Sequence, residues 1–510
     1  MSADHTEPML NKHFLFVSHP LWGHLRPDIA ITSNLLALHP NLHVTILISG
    51  FRAHDAEQEY IRHGLNADQR RRLRRIHHGS VPREQKGLEK LPYDRITATM
   101  KDTVVNFMTM YPKLRKGEAV VDSSSAMDVA RWTIPISLIA FDWSLSGTLP
   151  PIIAKYGPMP GGEKPKCVIC SPLAPSFFDF YFFNNYKGEP VVDNMIKDVE
   201  SGMDGENAWD KHIALNDTII NIPGCGPMRV SEIPGNDGTL RRVVDRLIIP
   251  ARAAAKRDID AFIVYHPAYL DQATEKAWIA RAPLLLVGPL SPPPSDEAEV
   301  TTAEYGAEII AFLDKSLLDH GERSLIFISF GSIHFPPDRE QTTILFDVLV
   351  ALNRPVLFVA GNCNDGMFAF LEDKAKSAEM VMLASWVPQQ RLLRHKVVGC
   401  FLTHGGSGSI MESLSAGVPM VIWPDGTDQV FMANQLDVVH GLAVELVQIR
   451  KGPNAQASAL RDELRRVLMS VMGGQGDELR RRIMEVSEIM QRDRQPGGKT
   501  YDSLFKIWAL

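Results

Sequence analysis

The sequence predicts an α/β protein of two doubly wound, Rossmann-like halves facing each other across a cleft. Three observations carry that expectation. Strand-like apolar runs alternate with helix-like stretches in both halves of the chain. A stretch rich in proline and acid, GPLSPPPSDEAEVTTAE at 288–304, separates the two halves. The chain also has 510 residues, 45% of them hydrophobic, which is more than one core serves comfortably.

Each element has its own signal. Residues 13–18 (HFLFVS) read as a buried strand, and the loop HPLWGH follows. Residues 27–38 read as a helix, with Pro27 suited to its first turn. Residues 42–48 are a second strand, and 136–142 (ISLIAFD) a further one with an acid at its carboxyl end. Residues 261–265 and 283–287 close the first half. The pattern restarts at 324–330 (SLIFISF), which leads into Gly331-Ser332. A helix over 341–352 and a strand over 355–359 come next. Residues 460–490 read as helical, with an apolar stripe that includes Leu464, Leu468 and Met472. The final YDSLFKIWAL is amphipathic and helix-like.

Composition excludes several classes. Net charge is −6 and no basic block is present, so no nucleic-acid partner is expected. The five cysteines are odd in number and point to reduced thiols in the cytosol. Cys167-Val-Ile-Cys170 is a lone CxxC with no second ligand pair to make a metal or redox site. The first ten residues lack the charged end and apolar centre of a signal peptide. No run of about 18 apolar residues could span a membrane. A cytoplasmic protein without stable membrane insertion is expected. The oligomeric state is not readable.

The chemistry concentrates in residues 386–429. There the apolar strand VVGCFLTH runs into the glycine-rich turn GGSGS, and the helical stretch IMESLSA follows. Glycines let a backbone approach a ligand, and free N–H groups at a helix start favour an anion. His404, Gly405, Gly406, Ser407, Gly408 and Ser409 form that turn, whose amides can hold a diphosphate. Gly331-Ser332 is a second donor pair. Trp386 stands before Pro388, where it can stack on a flat base or serve as core. Glu412 falls on the helical face of Ser409, where it can bind ribose hydroxyls or complement the helix dipole. Asp428 and Gln429 can read sugar hydroxyls or lie in a solvated loop. In the first half, His24 follows a strand and can accept a proton near neutral pH. Asp142 can hold a histidine in the required tautomer. His19 is a rival that position alone does not separate from His24.

With these residues in view, the chain resembles the UDP-dependent glycosyltransferases that glycosylate small molecules, family 1 enzymes of GT-B fold. WVPQ, VVGCFLTHGG, Ser409, Glu412, GVP and WPDGTDQ carry the match between 386 and 429. HPLWGHLRP at 19–27, FDWS at 141–144, IPGCGPMRVSEIP at 222–234, VGPL at 287–290 and SLIFISFGS at 324–332 support it. The resemblance implies an acceptor-binding domain over 1–290, a linker over 291–306 and a UDP-sugar-binding domain over 307–480. A helical tail over 481–510 would cross back to the first domain. It implies that Trp386 stacks on uracil, Gln389 lies beside the uridine and Glu412 binds ribose. His404, Ser409 and Ser332 would contact the diphosphate, with the backbone of Gly406, Ser407 and Gly408 completing the cradle. Asp428 and Gln429 would bind the sugar, and His24 would be the general base with Asp142 as its partner. The implied reaction inverts the anomeric carbon without an obligatory metal or cofactor. The co-substrate is a UDP-sugar, with UDP-glucose favoured over galactose, xylose, N-acetylglucosamine or glucuronate donors. The acceptor is a small lipophilic hydroxyl compound such as a phenolic, flavonoid, terpenoid, sterol or alcohol. A membrane-surface transferase acting on lipid or glycan and a non-catalytic nucleotide-sugar-binding protein are the alternatives.

The chain also departs from the plant pattern HCGWNS. Ser407 and Gly408 stand where that pattern has tryptophan and asparagine, which removes a side-chain amide near the sugar. Met432 stands where many members have asparagine, and Asn434 is the candidate to compensate.

Overall fold

The computed structural model describes residues 11–79, 93–234, 240–292, 306–331, 335, 337–361, 363–451 and 455–510. The 291–306 linker lies almost wholly outside them, and so does Ser332.

Two all-parallel sheets organise the chain. The first contains β1 (Lys12–Val17), β2 (Leu42–Ser49), β3 (Leu73–His78), β4 (Ile136–Phe141), β5 (Lys166–Ser171), β6 (Ala261–Val264) and β7 (Leu284–Leu286). Its order is β7-β6-β5-β4-β1-β2-β3. The second contains β8 (Leu325–Ser329), β9 (Val356–Val359), β10 (Val381–Ala384), β11 (Val398–Thr403), β12 (Met420–Ile422) and β13 (Ala443–Glu445), in the order β10-β9-β8-β11-β12-β13. The strands are near-continuous apolar runs because helices cover both faces of each sheet. Phe14, Leu15, Phe16 and Val17 are all buried, and so are Phe401 and Leu402 in β11.

The strand order locates the site. In the first sheet the direction of winding reverses between β1 and β4, which pair directly. In the second it reverses between β8 and β11. A crevice opens beyond the carboxyl ends of strands at such a switch point. His24 follows β1 and Asp142 follows β4. Gly331 follows β8, and His404 follows β11. Four of the sequence candidates thus sit at two equivalent topological positions, one in each half.

The helix after β1, α1, runs from Trp22 to Leu38, five residues earlier than the sequence suggested. Backbone bonds from His24 and Leu25 to the Leu21 carbonyl close its first turn. His24 is therefore a helical residue, and Pro27 lies inside the helix rather than in its first turn. The 460–490 stretch is also two helices, Ala457–Val471 and Gly474–Asp493. The break falls at Met472 and Gly473; Met472 caps the first helix and, half-buried, still packs against the core with Leu464 and Leu468.

The last helix, Lys499–Ala509, packs back on the first sheet's domain. Leu504 and Ile507 are buried, and the Trp508 ring stacks on His39 with centroids 4.9 Å apart. The Lys12 ammonium donates to the Trp508 carbonyl at 2.5 Å. Among the described residues, no helix is long and apolar enough to cross a membrane. Cys167 and Cys170 both lie in β5 and are buried, where successive residues alternate faces and positions three apart point to opposite sides.

Candidate functional site

The reactive side begins at the end of β4. Asp142 caps the short turn that follows, and its Oδ1 accepts from the Ser144 amide at 3.0 Å and the Ser144 hydroxyl at 2.5 Å. These bonds aim Oδ2 at α1, where it meets His24 Nδ1 at 2.7 Å. With Nδ1–H donated to the carboxylate, the Nε2 lone pair is left for an incoming hydroxyl. Burial disfavours the His24 imidazolium. The charge and hydrogen bond of Asp142, helped by Asp428 and Asp28, outweigh it and hold His24 above its ordinary range. Burial alone would raise Asp142, but His24, His19 and Ser144 bring it below the usual carboxylate range. Asp28, on the same helix, is buried and pushed up to about 7 by that burial.

His19 lies against His24 but is bonded differently. Its Nδ1 accepts the Leu21 amide at 3.0 Å, and its Nε2 faces Met100 Sδ at 3.3 Å. Burial and the neighbouring His24 push it down to about 3.

The opposite side is built by β11 and the helix after it, α2 (Ser407–Ala416). Gly405 holds φ +82°, and a Cβ there would meet Ile422 Cγ2 at 2.7 Å, so glycine is required on both counts. Gly331 holds φ +78°, and a Cβ there would meet His404 Cε1 at 2.6 Å. Gly406 precedes α2 and offers no side-chain cap. The helix start therefore keeps donor groups that an anion can satisfy. Ser407 Oγ is buried there without a hydrogen-bond partner among the described residues. Among the described residues, nothing lies within 4 Å of a Cβ added at Gly408.

Further along α2, Glu412 Oε2 accepts from Gln389 Nε2 at 2.9 Å, and Gln389 also reaches Ser409 Oγ at 3.2 Å. Trp386 is 56% exposed, which removes its reading as a core residue. After β12, Thr427 takes φ +56°, a left-handed turn uncommon for a β-branched residue. Gln429 Oε1 accepts the Asp425 amide at 2.9 Å. Asp428 is buried, and its Oδ2 accepts the Ala174 amide of the first half at 3.1 Å. Burial raises Asp428, against the Ala174 bond and the nearby His266 and His24.

The halves meet at further polar contacts that the sequence did not announce. Arg26 Nη1 lies 2.5 Å from Glu412 Oε1, directly across the cleft. Asn434 Oδ1 accepts the Gly226 amide at 2.7 Å, so its side chain serves the seam and does not replace the asparagine absent at Met432. Gln435 Nε2 donates to Asp271 Oδ1 at 3.0 Å, and Asp271 Oδ2 pairs with the buried His266. Arg26 was visible in HLRP beside His24, but a partner 386 positions away was not.

Comparison with known proteins agrees with this architecture. Residues 289–492 match the family model described as UDP-glucoronosyl and UDP-glucosyl transferase. UDP-glycosyltransferase eriJ of Hericium erinaceus is 30% identical over 260 residues, covering 48% of this chain and 51% of that protein. Solanidine UDP-glucose glucosyltransferase 1 of Solanum tuberosum is 29% identical over 195 residues, covering 36% and 39%. The matches thus span about half the length of these curated relatives or less. A UGT from Siraitia grosvenorii in complex with UDP superposes with TM-score 0.70 at 20% identity, over 98% of this chain and 99% of its own. Medicago truncatula UGT71G1 with UDP-glucose gives TM-score 0.68 at 19% identity, over 98% and 97%. The chain therefore has the GT-B fold of these structures, and its residues 289–492 are similar to the UDP-glucoronosyl and UDP-glucosyl transferase family.

Proposed function

We propose that this chain is an inverting glycosyltransferase that moves a sugar, glucose in the favoured case, from a UDP-sugar to a hydroxyl of a small lipophilic acceptor. One observation carries the reading. The Arg26–Glu412 contact sets the helix bearing the His24–Asp142 pair directly opposite α2, whose start has donor groups that an anion can satisfy. A base and a phosphate cradle on opposite walls are what direct displacement at an anomeric carbon requires.

In this reading the acceptor hydroxyl gives its proton to His24 Nε2 as its oxygen attacks the anomeric carbon. The bond from that carbon to the diphosphate breaks, and its electron pair leaves on UDP. The configuration inverts from α to β, with no enzyme-linked intermediate. Asp142 keeps the imidazole in its tautomer and stabilises the imidazolium. Charge grows on the leaving diphosphate. The α2 amides, Ser407, Ser409 and His404 would stabilise it, with Ser332 a further donor. Trp386 would stack on the base, Gln389 and Glu412 would hold the nucleoside, and Asp428 and Gln429 would hold the sugar. Met100 beside His19 and the buried Trp143 after Asp142 make the surroundings of the base apolar, which supports a lipophilic acceptor. The five free cysteines fit a cytoplasmic setting.

The test is UDP release from UDP-glucose with a panel of phenolic, terpenoid and alcohol acceptors. Turnover is expected with at least one, and His24→Ala is expected to bind UDP-glucose yet form product about 10²–10⁴-fold more slowly. No turnover together with no UDP binding overturns the reading. Product from His24→Ala at the wild-type rate removes His24 as the base.

A further inference from the structure

Protein donors meet Glu412 from both sides. Arg26 Nη1 is 2.5 Å from Oε1, and Gln389 Nε2 is 2.9 Å from Oε2. Arg26 stands two residues after His24 on α1 but reaches into the other half. Its Nε is 3.0 Å from Glu59 Oε1, and Glu59 Oε2 is held by Arg62 Nη1 at 2.8 Å. The guanidinium therefore uses different nitrogens to bridge two carboxylates, one from each half. Little of this cluster is wet, since the side chains of Glu59 and Glu412 are 3% and 10% exposed.

A carboxylate so enclosed is costly without a cation, and it turns away or takes a proton when its partner is removed. The planar fork of arginine can span two acids, whereas the ammonium of lysine acts at one point. A carboxylate accepts at about four lone-pair sites. With one protein donor on each oxygen, Glu412 keeps a second acceptor position on each, which matches a vicinal diol.

We propose that Arg26 is a positioning residue for the ribose end of the donor. It holds both oxygens of Glu412 toward the 2′- and 3′-hydroxyls and ties that carboxylate to the helix that carries His24. The proposal rests on the reading of Glu412 as the ribose acceptor. The nucleoside is then held at a set distance from the base, and the enzyme senses the ribose hydroxyls through a residue of the opposite domain.

The test is the ratio of dissociation constants for 2′-deoxy-UDP and UDP, measured by calorimetry on the full chain. Wild type, Arg26→Met, Arg26→Lys and Glu412→Ala are compared. Wild type is expected to favour UDP by about tenfold, the size of one hydrogen bond to a charged group. Arg26→Met is expected to bring the ratio to about one. Arg26→Lys, which keeps the charge and so guards against failure to fold, is expected to fall between. A purely structural role lowers the melting temperature without moving the ratio. A wild-type ratio in either Arg26 variant, with the ratio lost in Glu412→Ala, overturns the proposal and leaves the ribose reading standing. A wild-type ratio in Glu412→Ala overturns the ribose reading itself, and the proposal with it.

Discussion

His19 and His24 lie ring against ring, with centroids 4.7 Å apart and planes 32° from parallel, yet only His24 is paired with a carboxylate. His19 spends its Nδ1 lone pair on the Leu21 amide. Proximity to the cleft is shared, and bonding separates the two. His24→Ala is expected to lower kcat by about 10²–10⁴-fold, as the loss of a placed acid–base group does. His19→Ala is expected to lower it by less than about tenfold and to cost about 1 kcal/mol of stability through the lost amide contact. Steady-state rates and thermal melts on both variants check this. Equal losses of rate would remove the distinction.

The pH profile follows from the same pair. A base must be neutral to accept a proton, so activity falls as pH drops through the His24 pKa. Asp142 leads the groups that hold that pKa above the ordinary histidine range against the effect of burial, so the acid limb of kcat/KM is expected above about pH 6.5. Asp142→Asn removes the charge that favours imidazolium. Its acid limb is expected to move to lower pH, while its plateau falls about 10²-fold or more. A limb that stays in place would mean another group titrates there.

Trp386 exposes most of its ring at the rim of the second sheet. Replacing it with Ala is expected to leave the melting temperature within about 2 °C. The donor KM is expected to rise about tenfold, because base stacking contributes about 1–3 kcal/mol. Unchanged donor kinetics would remove Trp386 from the nucleotide site.

The anion turn gives a graded series. Gly405→Ala forces a side chain into left-handed backbone and into Ile422, and is expected to cost about 1–3 kcal/mol with loss of donor binding. Gly408→Asn meets open space in a helix and is expected to change stability by less than about 0.5 kcal/mol. Ser407→Ala removes a buried hydroxyl without a partner among the described residues, so stability is expected to hold or rise while UDP affinity falls. Melting curves and UDP titrations check all three. Wild-type UDP affinity in Ser407→Ala would exclude that hydroxyl from the phosphate site.

Ile507 is fully buried where the last helix returns to the first domain. Ile507→Ala is expected to destabilise the chain by about 2–5 kcal/mol, measured by urea unfolding. A loss below about 1 kcal/mol would show that the returning helix contributes little.

The sequence by itself determined the two parallel sheets, because strands buried on both faces must be written as continuous apolar runs. It also marked the glycine turn, where the left-handed backbone of Gly405 favours glycine. Helix boundaries were less legible. Pro27 looked like a helix start, but the turn at Leu21–Leu25 had already begun, and Pro27 lies inside the helix. Trp386 could not be assigned to core or surface until its exposure was known, and His19 could not be told from His24 until their hydrogen bonds were. Tertiary structure alone decided what crosses the cleft: Arg26 on Glu412, Ala174 on Asp428 and Asn434 on Gly226. Local periodicity carries no record of such contacts. They depend on how two finished domains are set against each other, and each joins residues hundreds of positions apart.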